Sequence, residues 1–114
     1  MKKPQIKKLD LIWSKKIKEI GNFKCLHCGK SGEFVKLEAA HIVGRGAHST
    51  RWRTDNGLSL CFHCHQDYDQ HRNHLEDWVR DWIGESKWSE LQTAGRITGV
   101  KRTYEEVLSE LEKE

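Results

Sequence analysis

Apolar residues recur at steps of three and four near the start of the chain, as Ile6, Leu9, Trp13, Ile17 and Ile20. That period predicts an amphipathic helix, with Gly21 placed to end it. The period then changes to two. Val35, Leu37, Ala39, His41 and Val43 alternate with Phe34, Lys36, Glu38 and Ala40, which predicts a strand over 33–43. The polar stretch 44–54 holds two glycines and reads as a loop. Leu58 and Leu60 alternate in a short second strand after Gly57. A helix is expected to start at Cys61–Cys64. Further on, Leu75, Trp78, Val79, Trp82 and Ile83 form a second helical stripe. Asn73 with Glu76 resembles a capping box at its start, and Gly84 stops it. Trp88 and Leu91 suggest another helical turn. Thr103 opens a last helix that buries Tyr104, Val107, Leu108 and Leu111. The expected fold class is α+β, two short antiparallel strands among helices.

A chain of 114 residues without repeats, low-complexity segments or a linker reads as one domain. Its 36% apolar and 32% charged residues imply a small core that a metal would help to hold. Net charge is only +3, but it is unevenly spread. Lys2, Lys3, Lys7, Lys8, Lys15, Lys16 and Lys18 crowd the first twenty positions, and Arg45, Arg51 and Arg53 fall in the middle. Acidic residues gather late, at Glu105, Glu106, Glu110, Glu112 and Glu114. Such asymmetry suits a polyanion on one side of the molecule, although a charge run is often just a solvated face. The basic first residues are followed by no apolar core of a signal peptide, and no apolar run is long enough to cross a membrane. The expected location is cytoplasmic (the host cell's cytoplasm if the chain is phage-encoded), where cysteines stay reduced.

Against that background the four cysteines carry chemistry. Cys25 and Cys28 form one Cys-x-x-Cys pair, and Cys61 and Cys64 another. Four thiolates so spaced are the usual ligands of one tetrahedral structural zinc. Gly29, directly after Cys28, tolerates a tight turn around the metal. Closing this site would bring His41, Asn56 and His65 near one another. One imidazole can then take a proton from water, while another binds a divalent cation that stabilises phosphate charge. The asparagine amide can fix a backbone or orient the base.

The stretch from Cys25 to about His71 resembles the HNH nucleases of the ββα-metal group, in particular small phage-type members with a four-cysteine zinc site. The carrying residues are Cys25-Leu26-His27-Cys28-Gly29, then Ala40-His41-Ile42-Val43-Gly44-Arg45, Thr50-Arg51-Trp52, Asp55-Asn56, and Leu60-Cys61-Phe62-His63-Cys64-His65. The resemblance implies His41 as general base, Asn56 as the residue that positions its loop, and His65 as a ligand of the catalytic divalent ion. It also implies structural Zn²⁺ at the cysteines, with Mg²⁺, or another divalent cation such as Mn²⁺ or Ni²⁺, in catalysis. Many members carry Asp or His directly before the base as a second metal ligand, where this chain has Ala40. Asp69 is the favoured substitute because it follows His65 by one helical turn, and His71 is the alternate. Glu38, on the strand face opposite His41, reads as a solvated carboxylate.

Arg45 and Arg51 are candidates for phosphate contacts through their guanidinium forks. Trp52 is expected to pack against the zinc region, and Trp78 and Trp82 in the core. Residues 1–24 are then a basic N-terminal helix, 25–72 the zinc-bound core and 73–114 the C-terminal helices. The function so implied is a metal-dependent DNA endonuclease, nicking or cutting both strands, in phage DNA processing or packaging. Two alternatives stand beside it: a zinc-knuckle module that binds nucleic acid or a packaging protein without cutting, and a junction-resolving nuclease among recombination proteins.

Overall fold

The computed structural model describes residues 1–70 and 72–113, the side chains of 72–74 excepted. Its elements run α1 (Lys3–Ile20), β1 (Leu37–His41), a 3-10 turn (Thr54–Asn56), β2 (Gly57–Cys61), α2 (Phe62–Gln70), α3 (Arg72–Ile83), α4 (Glu85–Gly95) and α5 (Tyr104–Glu112). The class is α+β, as the change of period along the chain implies.

β1 and β2 pair antiparallel, with Leu37 opposite Cys61, Ala40 opposite Leu58 and His41 opposite Gly57. Because side chains alternate across a strand, the small sheet has two different neighbours. Ala40, Leu58 and Leu60 join Tyr68, Leu75, Val79, Trp88 and Leu91 in one buried cluster beneath α2, α3 and α4. On the other side, Leu9, Trp13 and Ile17 of α1 pack with Trp52, Val107 and Leu111, and Ala39 borders them. The close approach of α1 to the sheet depends on Gly57: a Cβ there would lie 2.5 Å from the Trp13 indole.

Several expectations change. The first strand is five residues rather than eleven. At its start, the N–H groups of Phe34 and Val35 turn back to the Ser31 carbonyl. At its end, the Val43 N–H donates to the Asn56 side chain instead of a strand partner. The short turn around Trp88 and Leu91 is a full helix of 11 residues. Ile20 and Trp82 continue their stripes past the packed surface and are 64% and 55% exposed. Trp82 stacks on Trp78 there, at 5.7 Å between ring centroids. Trp52 is buried as expected, but against α1 and α5 rather than the zinc knuckles. The Asn73 capping box involves side chains outside the described residues. Thr103 does cap α5, its Oγ1 accepting from the Glu106 N–H at 3.1 Å. Among the described residues no helix is long and apolar enough to cross a membrane.

Candidate active site and metal centre

The four cysteine sulfurs lie within 4.8 Å of one another. A tetrahedral ion with sulfur arms of about 2.3 Å has edges of about 3.8 Å, and Cys28 Sγ to Cys61 Sγ is 3.8 Å. In each knuckle the second cysteine's N–H donates to the first sulfur, at 3.4 Å for Cys28 to Cys25 and 3.5 Å for Cys64 to Cys61. Gly29 follows with φ +80°, the left-handed conformation that glycine takes without strain. Burial pushes the Cys25 thiol up, but the N–H groups of Cys28, Cys61 and His27 bring it down to about 7. Burial and the neighbouring Cys61 and Cys25 sulfurs push Cys64 the other way. One thiolate therefore disfavours the next, a conflict that a bound dication removes. The donor set, the spacing and the N–H···S bonds all fit a four-thiolate metal site.

His41, at the end of β1, stacks on Trp13 with ring centroids 4.0 Å apart and planes 13° apart. Its Nε2 lies 2.9 Å from the Arg51 carbonyl oxygen. A carbonyl only accepts, so in this bond Nε2 carries the proton and Nδ1 keeps the lone pair. Burial, followed by the positive Arg45 and Arg51, holds the His41 pKa below the ordinary histidine value, although the Arg51 carbonyl and Asp10 act the other way. The ring is thus neutral at pH 7 with a free acceptor nitrogen.

Asn56 is fully buried. Its Oδ1 accepts from Val43 N–H at 2.8 Å, and its Nδ2 donates to the Val43 and Thr50 carbonyls at 3.1 and 3.0 Å. Its own carbonyl takes the Ile42 N–H. The side chain therefore ties together both ends of the segment that follows His41. Deleting it would leave several buried peptide groups unpaired, each costing about 1–3 kcal/mol.

His65, in the first turns of α2, has a carboxylate at each ring nitrogen. Nδ1 is 2.9 Å from Glu38 Oε1, and Nε2 is 3.3 Å from Asp69 Oδ2. The parity of β1 does put Glu38 opposite His41, but α2 covers that face, so the carboxylate is bonded to His65 rather than simply solvated. With Nδ1–H donating to Glu38, Nε2 presents a lone pair beside Asp69. Two adjacent ligands of a hard ion at about 2.1 Å stand about 3 Å apart, so this nitrogen and oxygen fit one ion with a small adjustment. The alternate, His71, lies outside the described residues.

His41, Glu38, His65 and Asp69 all line one cleft of about 690 Å³, together with the cations Lys7, Lys18, Lys36 and Arg45. Arg51 departs from the phosphate contact expected of it. Its Nε and Nη2 donate to Asp10 at 3.1 and 2.8 Å, and its Nη1 to the Arg45 carbonyl, so the fork is committed inside the protein. Asp10 also accepts from Trp52 Nε1 at 2.9 Å. The sequence thus gives no sign of Asp10 or of Trp13 as a ring partner, and it reads Glu38 as solvated where the fold bonds it to His65. Only Glu38 left a local trace, since it shares a strand face with Ala40 two residues on.

Residues 25–76 match the family model described as HNH endonuclease. No curated protein and no solved structure matches the chain. The matched segment, a little under half of the chain, contains the four cysteines, His41, Asn56 and His65, and over it the chain is similar to the HNH endonuclease family.

Proposed function

We propose that the chain is a divalent-metal-dependent DNA endonuclease in which His41 is the general base and His65 with Asp69 holds the catalytic ion. The observation that carries this reading is the neutral, Nε2-protonated His41, which lines the same cleft as His65 and four cations. A base must be unprotonated at working pH and fixed in one tautomer, and both conditions are met. Nδ1 takes the proton of an attacking water as its oxygen bonds to the scissile phosphorus, while the phosphorus–oxygen bond to the leaving nucleoside breaks and that oxygen takes a proton from solvent. Glu38 accepts the His65 Nδ1–H and so orients Nε2, a carboxylate–histidine pairing common behind metal ligands. Asp69 takes the part of the carboxylate that position 40 lacks. A bound divalent ion supplies charge stabilisation at the phosphate oxygens. Lys7, Lys18, Lys36 and Arg45 attract and align the phosphate backbone, a sequence-independent and salt-sensitive contribution. Asn56 holds the segment after His41 in place.

In this reading the cysteines hold structural zinc. A binding module without cleavage needs no tautomer-locked histidine in the same cleft as a carboxylate-flanked one, which favours the nuclease. A role in phage DNA processing or packaging is compatible with it, and so is the resolving of junctions.

The ion's ligands are tested by titrating plasmid cleavage with Mg²⁺ and Mn²⁺. Asp69→Ala is expected to raise the concentration needed for half-maximal cleavage by about tenfold or more, because hard dications favour an anionic oxygen over a lone imidazole. His65→Ala is expected to be worse. An unchanged requirement in Asp69→Ala would remove Asp69 from the ligand set.

A further inference from the structure

The geometry points to helix α1, which lies outside the matched segment, as the element that locks the base: we infer that Asp10 and Trp13 are positioning residues for His41. This inference rests on His41 being the general base. The carbonyl that holds the His41 Nε2–H belongs to the peptide between Arg51 and Trp52. The side chains on both sides of that peptide, the Arg51 guanidinium and the Trp52 indole, donate to the same Asp10 carboxylate. One helical turn on, Trp13 lies against the His41 ring and donates its Nε1–H to the Arg53 carbonyl at 2.8 Å. Residues 51, 52 and 53 are therefore all tied to two side chains of α1, spaced i and i+3 on one face.

The physical consequence concerns the tautomer. A neutral imidazole can place its proton on either nitrogen, and only the Nε2–H form leaves Nδ1 free to act. A loop carbonyl that drifts can no longer select that form. Asp10 prevents the drift from the edge of the ring, and Trp13 confines the ring's face. Arg51 is then held for what its backbone does, which explains why its guanidinium is committed to Asp10 and the Arg45 carbonyl. The arrangement follows the general logic by which a third group orients a catalytic base.

The test combines kinetics with the ¹⁵N chemical shifts of the His41 ring in the zinc-loaded chain. Wild type is expected to show the Nε2–H tautomer at neutral pH. Asp10→Asn is expected to lower kcat by about tenfold or more while KM stays within about twofold or falls. A fall in KM is the natural direction, since the change removes a negative charge from a phosphate-binding cleft. The same variant should gain Nδ1–H tautomer, and Asp10→Glu should recover part of the loss. Wild-type kcat in Asp10→Asn with unchanged ring shifts would overturn the inference. If Asp10→Asn loses zinc or helicity, the wild-type spectrum decides, because a dominant Nδ1–H form would itself contradict the lock. Cleavage that survives in His41→Ala would instead sink the reading of the base, whatever the tautomer.

Discussion

Cys61→Ser, or exhaustive chelation of the wild-type chain, is expected to abolish the folded state rather than to soften it. Cys25 and Cys28 lie between α1 and β1, whereas Cys61 and Cys64 join β2 to α2. The four-thiolate site therefore ties the sheet, with the strand of His41, and the helix of His65 into one unit. Cys25 and Cys61 are also members of the larger buried cluster. Structural zinc contributes an apparent binding free energy of about 10–16 kcal/mol in small zinc peptides. Whole domains are stable by only about 5–15 kcal/mol. The first figure matches or exceeds the second, so the metal decides whether the chain folds. Circular dichroism and metal analysis on the same sample check this: loss of helicity should track loss of zinc. A Cys61→Ser chain that keeps its helicity without metal would refute the assignment.

The second large effect is on chemistry. His41→Ala should reduce DNA cleavage by about 10²- to 10⁴-fold, the range for removal of a general base. Zinc content and DNA affinity should stay near wild type, because a base acts in the transition state and scarcely in substrate binding. The pH dependence has a definite sign. A general base acts as the neutral ring, so cleavage should fall as pH drops through the folded pKa of His41. Burial and the nearby Arg45 and Arg51 hold that pKa below the ordinary value of 6.5. The acid limb of the kcat/KM profile, which reports the free protein, should therefore lie below that value. A limb above it, or near wild-type cleavage by His41→Ala, would mean another group accepts the proton. Equal loss of DNA binding would favour a structural role for the ring.

What could be read from residues alone follows the range of the interactions concerned. The cysteine pairs, the α1 stripe and the trio His41, Asn56 and His65 rely on short spacings that leave a trace in order and period. The Asp10 carboxylate leaves none, since its partners Arg51 and Trp52 are 41 and 42 residues away. Glu38 is intermediate. Its strand face follows from parity, but what covers that face depends on how α2 packs. The first strand is shorter than its alternation for a related reason: the Ser31 turn and the Asn56 side chain capture N–H groups that alternation alone would give to a ladder. Ile20 and Trp82 show the limit of periodicity from the other side, because a stripe can run on after its packing partner has ended.

DNA cleavage by this chain with a divalent ion, as proposed above, is open to a simple assay. Zinc-loaded wild-type protein incubated with supercoiled plasmid tests it most directly, in a series of Mg²⁺, Mn²⁺ and Ni²⁺ with a metal-free control. Nicked or linear plasmid is expected in the presence of at least one of these ions and none in the control. Plasmid that is bound and retarded, yet stays supercoiled with every ion, would contradict it and leave the chain a zinc-knuckle binding module.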